Sequence, residues 1–287
     1  MSFKRVSIFG AGLIGGSLAL ALQSSGIASQ VAVWARRKET VDALKKLGFS
    51  HASQSLEEIA ADAEIAIICT PVVSILEIGE QLSKMLPPSS FVTDAGSTKH
   101  TIVEKLGGIF GARFVGSHPM AGSEQSGLAA ARADLFQDAL SLITPCEKTS
   151  PDAVRAIESL WQAVGCRIAK LDAAAHDCLM ARISHTPHVT ASALVNLVCA
   201  SDATAQNYAG GGYRDTTRVA SGSPNLWQEI LLDNSEEVSS AIQALIAQLE
   251  DVKTALDRRD VKALHAFLTK AKTARDSYVG KQDAYDV

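Results

Sequence analysis

A parallel α/β domain followed by an all-α domain is the fold class that this 287-residue sequence predicts. Three observations carry it. Short apolar runs bounded by Gly, Pro or Asp alternate with helix-like segments through the first half, as in a sheet covered on both faces. A glycine triplet directly follows the first of these runs and opens a helix. From Ala173 onward no strand-like run appears, and apolar residues recur at helical spacing instead.

The first strand is Val6-Ser7-Ile8-Phe9, and Leu13 to Ser24, rich in Ala and Leu, is the first helix. Gln30 to Ala35 reads as a second strand, and Lys38 to Leu47 as a helix closed by Gly48. Leu56 to Ala61 is a short helix, and Glu64 to Thr70 a continuous apolar strand stopped by Pro71. Phe91 to Asp94, Phe114 to Gly116 and Leu140 to Thr144 complete the strands of this half. Pro151 opens a helix that Gly165 ends, and Arg167 to Leu171 reads as a small further strand. Ala174 to Cys199 is long and apolar, interrupted by Pro187. Asn225 to Arg258 keeps a helical stripe, and Val261 to Tyr278 is the last helix. The change of pattern after Pro145 sets the expected division at 1–148 for the sheet domain and 149–287 for the helical one.

Hydrophobic residues make up 47% and charged residues 20%, which suffices for an enzyme-sized core. The net charge of −4 comes without a basic stripe, so nucleic acid is not expected as a partner and a small molecule is. Cys69, Cys146, Cys166, Cys178 and Cys199 are scattered and odd in number, which argues against a disulfide framework or a bound metal and for a reducing cytoplasm. Met1 to Phe9 runs straight into a glycine turn, so it reads as neither a signal peptide nor a membrane span.

Gly10-Ala11-Gly12-Leu13-Ile14-Gly15 is a G-x-G-x-x-G in the strand-to-helix context that gives the pattern meaning. Gly10 permits the tight turn and Gly12 admits a pyrophosphate to the helix N-terminus. Gly15 lets helix and strand pack closely. The first domain is therefore a Rossmann-type dinucleotide-binding domain. The second strand bears on the cofactor. NAD sites usually place Asp or Glu at its end, where the carboxylate accepts from the ribose 2′-OH. Here Ala35 is followed by Arg36, Arg37 and Lys38, and guanidinium groups suit a 2′-phosphate. NADP is favoured over NAD.

Ligands of open α/β sheets bind beyond the carboxyl ends of the strands. Thr70 and Pro71, Asp94 to Lys99, and Gly116 to Gly122 occupy such ends. Asp94 fits either a ribose contact or the cap of a following helix. His118 is a candidate general base, because imidazole titrates near neutrality. In the helical half, His185 and His188 share a face if their stretch is helical. A glycine run leads into Arg214 and Arg218.

With these segments in hand, the chain resembles the prephenate/arogenate dehydrogenase family of tyrosine biosynthesis. GAGLIGGSLA, DAGSTK, GSHPMAGSEQSG, HDCLMARISHTPH, GGGYRDTTRVASGSP and LWQEILLDN carry the likeness, in the family's order and over nearly the whole chain. The resemblance implies hydride transfer from C4 of a cyclohexadiene to a nicotinamide, loss of the 4-hydroxyl proton and departure of carbon dioxide. By the same likeness His118 contacts the 4-hydroxyl, Ser97 supports it and Arg218 grips a substrate carboxylate. Glu124, His185, His188 and Arg214 match cleft-lining positions. A homodimer built through the helical domain is expected, since the Asn225–Arg258 stripe exceeds what one small domain can cover and the family interlocks its helical halves.

Two other readings stay open at this point. A two-domain reductase of the hydroxyacid or phosphogluconate type relies on a lysine in the helical domain, yet Ala174 to Cys199 has none. A non-catalytic NADP-sensing protein on the same fold predicts an emptied catalytic set, whereas His118, Ser97 and Arg218 are all present.

Overall fold

The computed structural model describes residues 1–123, 125–201 and 204–282. In chain order the first part comprises β1 (Phe3–Phe9), α1 (Leu13–Ser25), β2 (Ala28–Trp34), α2 (Lys38–Lys46), β3 (Ala52–Ser53), α3 (Leu56–Ala60) and β4 (Ile65–Ile68). It continues with α4 (Val72–Leu82), β5 (Phe91–Asp94), α5 (His100–Phe110), β6 (Phe114–Pro119), β7 (Leu140–Pro145), α6 (Pro151–Ala163) and β8 (Arg167–Lys170). The helical part holds α7 (Ala173–Met180), α8 (Thr186–Ser201), α9 (Gly211–Thr217), α10 (Pro224–Asp233), α11 (Ser235–Asp257) and α12 (Val261–Gln282). Two compact units result, Met1–Val238 and Ser239–Val287.

The eight strands form one sheet in the order β3-β2-β1-β4-β5-β6-β7-β8. All pair in parallel except β6 with β7. Alternate strand residues feed opposite faces. Val6 and Ile8 of β1 join Leu18, Leu22, Ile157 and Trp161 on one side, while Phe9 joins Ile68, Ile75, Ile102 and Leu106 on the other. The central strands are therefore apolar over their buried stretches, Val6–Phe9 of β1 apart from Ser7 and Ile65–Ile68 of β4, which is why those runs read continuously in the sequence. The order reverses between β1 and β4, so the crevice at their carboxyl ends is the topological switch point where such sheets bind ligands.

The sheet layer ends at Lys170, not at residue 148. β8 pairs with β7, placing Leu142 opposite Ala169, and α6 packs beneath with Ala153, Ile157, Leu160 and Trp161 buried. The sequence pattern changes after Pro145 because β8 lies at the edge of the sheet and its residues stay half-exposed or exposed. Two helices beyond the sequence reading, α4 and α5, also cover the sheet. Their buried residues, Val72, Ile75, Ile78 and Leu82, then Ile102, Val103, Leu106 and Phe110, recur at helical spacing.

Pro187 does not interrupt the long apolar segment. A widened π turn at Ala181–His185 joins α7 to α8 and absorbs the proline's missing N–H. The Asn225–Arg258 stripe is broken once, at Asn234, between α10 and α11. In the second unit Leu249, Leu256, Val261 and Leu268 are each more than half exposed.

Candidate active site

The carboxyl ends of β1, β2 and β4 enclose a cavity of about 460 Å³, lined by Gly10–Gly12, Trp34–Arg37, Thr70 and Pro71 among others. Gly10 has φ +113°, a value that side chains disfavour, and a Cβ there would lie 2.7 Å from the Cys69 carbonyl oxygen. A Cβ on Gly15 would collide with the Gly10 carbonyl, so the third glycine sets the approach of α1 to β1. A Cβ on Gly12 would meet nothing within 4 Å, so this position is small for the sake of what occupies the cavity. The N-terminus of α1 carries no side-chain cap and no acidic residue in its first turn, leaving its N–H groups and dipole for an anion. The Thr70 hydroxyl is buried without a protein partner beside the same space. These features fit a dinucleotide.

At the far wall the Trp34 indole N–H donates to the Gln54 carbonyl at 2.9 Å, and the Gln54 amide donates to the Arg36 carbonyl at 2.8 Å. This brace fixes the end of β2. The Arg36 and Arg37 side chains stand exposed, in no ion pair among the described residues.

A second cavity of about 350 Å³ adjoins the first and shares Gly12, Thr70 and Pro71 with it. Leu13, Ile14, Ser97, Gly122, Gly222 and Trp227 line it further. It brings the glycine turn, the DAGSTK segment and the residues after His118 to one place. His118 itself lines neither cavity; it sits on β6 opposite Leu142 and is only 9% exposed. Its Nδ1 is 2.9 Å from His176 Nε2, and His176 Nδ1 is 2.7 Å from Asp177 Oδ1. Asp177 in turn accepts the backbone N–H groups of Lys99 at 2.8 Å and His100 at 2.7 Å, where α5 begins. Burial, then the neighbouring His176, Lys99 and His185, hold the His118 pKa well below the ordinary imidazole value. Burial also lowers His176, although Asp177 opposes the shift. For Asp177 burial pulls upward, but the hydrogen bonds from His176, His100 and Lys99 prevail and keep its carboxyl below the usual range.

α5 has no side-chain cap at its N-cap residue, Lys99, and Asp94, read as either a ribose contact or a helix cap, is an internal anchor. Its side chain and that of Lys99 are fully buried and form a short ion pair. Its remaining capacity goes to the N–H groups of Gly96 at 2.8 Å and Ser117 at 3.2 Å. Each oxygen thus has a protein donor, and none faces a ribose.

The helical residues divide. His188 stacks on Trp227 with ring centroids 3.6 Å apart, so it backs the wall of the second cavity. His185, read as cleft-lining, is 1% exposed and lines neither of these two cavities; its Nδ1 lies 3.2 Å from Asn234 Nδ2, whose amide also donates to the Asp177 carbonyl at 2.8 Å. Burial pushes its pKa down to about 4. Arg214 and Arg218 are exposed on and just after α9, and neither lines the two cavities. The Arg214 guanidinium donates to the Ala209 carbonyl. Glu124 lies outside the described residues. Sequence reasoning assigned no role to His176, Asp177, Lys99 or Trp227, although each lies in a segment that carried the resemblance.

The pattern of the family described as "Prephenate dehydrogenase, nucleotide-binding domain" matches residues 18–170, and that of the corresponding dimerization domain matches residues 172–270. The prephenate dehydrogenase of Bacillus subtilis is 33% identical over 278 residues, covering 94% of this chain and 75% of that protein. The structure of the Aquifex aeolicus prephenate dehydrogenase in complex with hydroxyphenyl propionate and NAD+ superposes with a TM-score of 0.91 at 30% identity, covering 97% of this chain and 99% of that one. Arogenate dehydrogenase of Synechocystis gives 0.83 at 31% identity, covering 96% and 99%.

Proposed function

The chain belongs to the prephenate dehydrogenase family, and we propose that it oxidatively decarboxylates a cyclohexadienyl substrate of tyrosine biosynthesis, prephenate or arogenate, with NADP as the preferred cofactor. The observation that carries this reading is the placement of His118. It stands near the end of β6, whose following residues Ala121 and Gly122 line the cavity that adjoins the dinucleotide cradle, and its Nδ1 is engaged by His176.

A nicotinamide dinucleotide held by the Gly10–Gly12 turn and the end of β2 would supply the hydride acceptor for C4 of the substrate. The protein's own task is to receive the 4-hydroxyl proton and hold the ring in place. A neutral His118 accepts that proton through Nε2, since Nδ1 is already engaged. Ser97, on the cavity wall, orients the hydroxyl. Leu13, Ile14, Thr70 and Pro71 shape the space shared by cofactor and ring, and the stacked His188–Trp227 pair closes it from the helical side. Reduction of either nicotinamide cofactor, followed at 340 nm with prephenate and with arogenate, tests the function. Absence of turnover with both substrates would overturn it.

Support for NADP comes from Arg36 and Arg37, which flank the cavity and carry no competing ion pair among the described residues. The Aquifex aeolicus relative was solved with NAD+, so the choice rests on this chain's own residues. Ala35 lines the same cavity, and a carboxylate there would repel a 2′-phosphate and accept from a 2′-OH. Ala35→Asp is expected to shift the ratio of kcat/KM values toward NAD by about ten- to a hundredfold, the worth of one charge-assisted contact. A wild-type enzyme already using NAD about tenfold better would contradict the assignment, because the arginine pair would then contribute less than one such contact.

Arg218 is assigned to the substrate carboxylate, and Arg214, one turn earlier in the chain, to the same substrate side. An arginine that holds a remote carboxylate contributes mainly uniform binding. Arg218→Ala should therefore raise KM by about ten- to over a hundredfold with little change in kcat. An unchanged KM would remove Arg218 from the site. The helical domain is also assigned a homodimer interface, supported by the exposed Leu249, Leu256, Val261 and Leu268 and by the dimerization-domain match.

A further inference from the structure

We infer that His176 and Asp177 are positioning residues which fix the tautomer of His118, so that Nε2 is the bare nitrogen offered to the substrate hydroxyl. The inference rests on the reading of His118 as the base, and extends it to two residues that never touch substrate.

The direction of each hydrogen bond follows from what the neighbours can do. Asp177 Oδ1 and Oδ2 accept the N–H groups of Lys99 and His100, which cannot reverse. Asp177 is therefore held as an acceptor-only carboxylate at the N-terminus of α5, a helix of eleven residues whose dipole also favours the anion. An acceptor-only partner at 2.7 Å requires His176 to carry its proton on Nδ1. In a neutral imidazole the other nitrogen is then a lone-pair acceptor. His176 Nε2 thus receives a hydrogen bond from His118 Nδ1–H at 2.9 Å, and the His118 Nε2 is left bare.

The arrangement is buried at every step. His176 is fully buried and Asp177 is 3% exposed, so water does not compete for the bonds. Charged and titratable groups approach from several elements. Lys99 from the turn before α5 and His185 from the π turn both bear on His118. Lys99 and Asp94 bear on His176 from the sheet side. With the lysine ammonium near both rings and burial opposing a charge on either, His176 stays neutral and keeps its acceptor. When the substrate O–H breaks, its proton forms the new Nε2–H bond of His118, while the C4–H electron pair leaves with the hydride to the nicotinamide. The imidazolium so formed keeps its Nδ1–H bond to His176, whose Nδ1–H is polarised by Asp177. That bond strengthens as positive charge develops, which is the condition for lowering the barrier.

The test is His176→Phe, assayed with the substrate and cofactor that the wild type uses. Loss of the acceptor frees His118 to take the Nε2–H tautomer, so kcat should fall by about ten- to a hundredfold, as for other partners that orient a functional histidine. KM should stay within about twofold, because the substrate contacts remain. The acid limb of the kcat profile should move, because His176 lies within hydrogen-bond distance of His118 Nδ1 and bears on its titration. His176→Gln, whose amide oxygen can reach the same point, should recover part of kcat. In ¹⁵N spectra of the labelled wild-type enzyme, neutral His118 should be protonated at Nδ1 and bare at Nε2. A purely structural His176 would lower melting temperature without moving the limb. Retention of more than half of wild-type kcat by His176→Phe, alongside an inactive His118→Asn, would overturn the positioning role. Activity retained by His118→Asn would instead overturn the reading beneath it. Should His176→Phe fail to fold, a wild-type His118 protonated at Nε2 would overturn the proposal.

Discussion

His118→Asn is expected to lower kcat by roughly 10²–10⁴, the range for loss of a positioned general base, while cofactor affinity changes little. Hydride loss from C4 builds positive charge on the carbinol carbon, and proton transfer to the imidazole relieves it. The interaction is therefore stronger in the transition state than in the ground state, and its loss falls on turnover. The ring lines neither cavity, so Asn leaves the cradle of Gly10, Gly12 and Gly15 untouched. The pH profile gives the second half of the test. His118 must be neutral to accept a proton, so activity falls as pH drops through its pKa. Because burial and neighbouring His176, Lys99 and His185 depress that pKa, the acid limb lies well below the 6.5 of an ordinary imidazole. His118→Asn abolishes the limb. A variant with more than half of wild-type kcat and an intact limb would move the base elsewhere; His188, beside Trp227, would be the next candidate.

β4 is plain in the sequence because both of its faces are buried, which forces an unbroken apolar run, and Val6–Phe9 of β1 is nearly so, broken only by Ser7. β8 escaped inclusion in the sheet domain because an edge strand has no such demand. The glycine turn could be read residue by residue, since each glycine answers a separate steric or ligand requirement. Asp94 was misplaced for the opposite reason. A carboxylate at a strand end looks the same in sequence whether it faces a ribose or a lysine, and only the fold reveals that Lys99 turns inward to meet it. His176 and Asp177 were equally opaque. Their partner is 58 residues from His176 in the chain, and no local spacing announces a contact between β6 and α7.

Lys99→Met should cost about 3–5 kcal/mol of folding stability, the usual consequence of leaving one member of a buried ion pair without the other. Both side chains are fully buried, so water cannot replace the missing partner. That loss is a large share of the roughly 5–15 kcal/mol that a domain of this kind commands. A buried pair can often be exchanged for two apolar residues at little net cost, but this one should resist the exchange. Asp94 also accepts the N–H groups of Gly96 and Ser117, and a second change of Asp94→Leu would orphan both donors at about 1–3 kcal/mol each. The double variant is therefore expected to be no more stable than Lys99→Met alone. Catalysis supplies an independent readout. The Lys99 ammonium helps to depress the His118 pKa, so Lys99→Met should move the acid limb of kcat to higher pH. Urea unfolding at neutral pH measures the first effect, and a loss below about 1 kcal/mol, the scale of an exposed pair, would refute it. The pH profile of whatever folded enzyme remains measures the second, and an unmoved limb would separate the ion pair from the chemistry at His118.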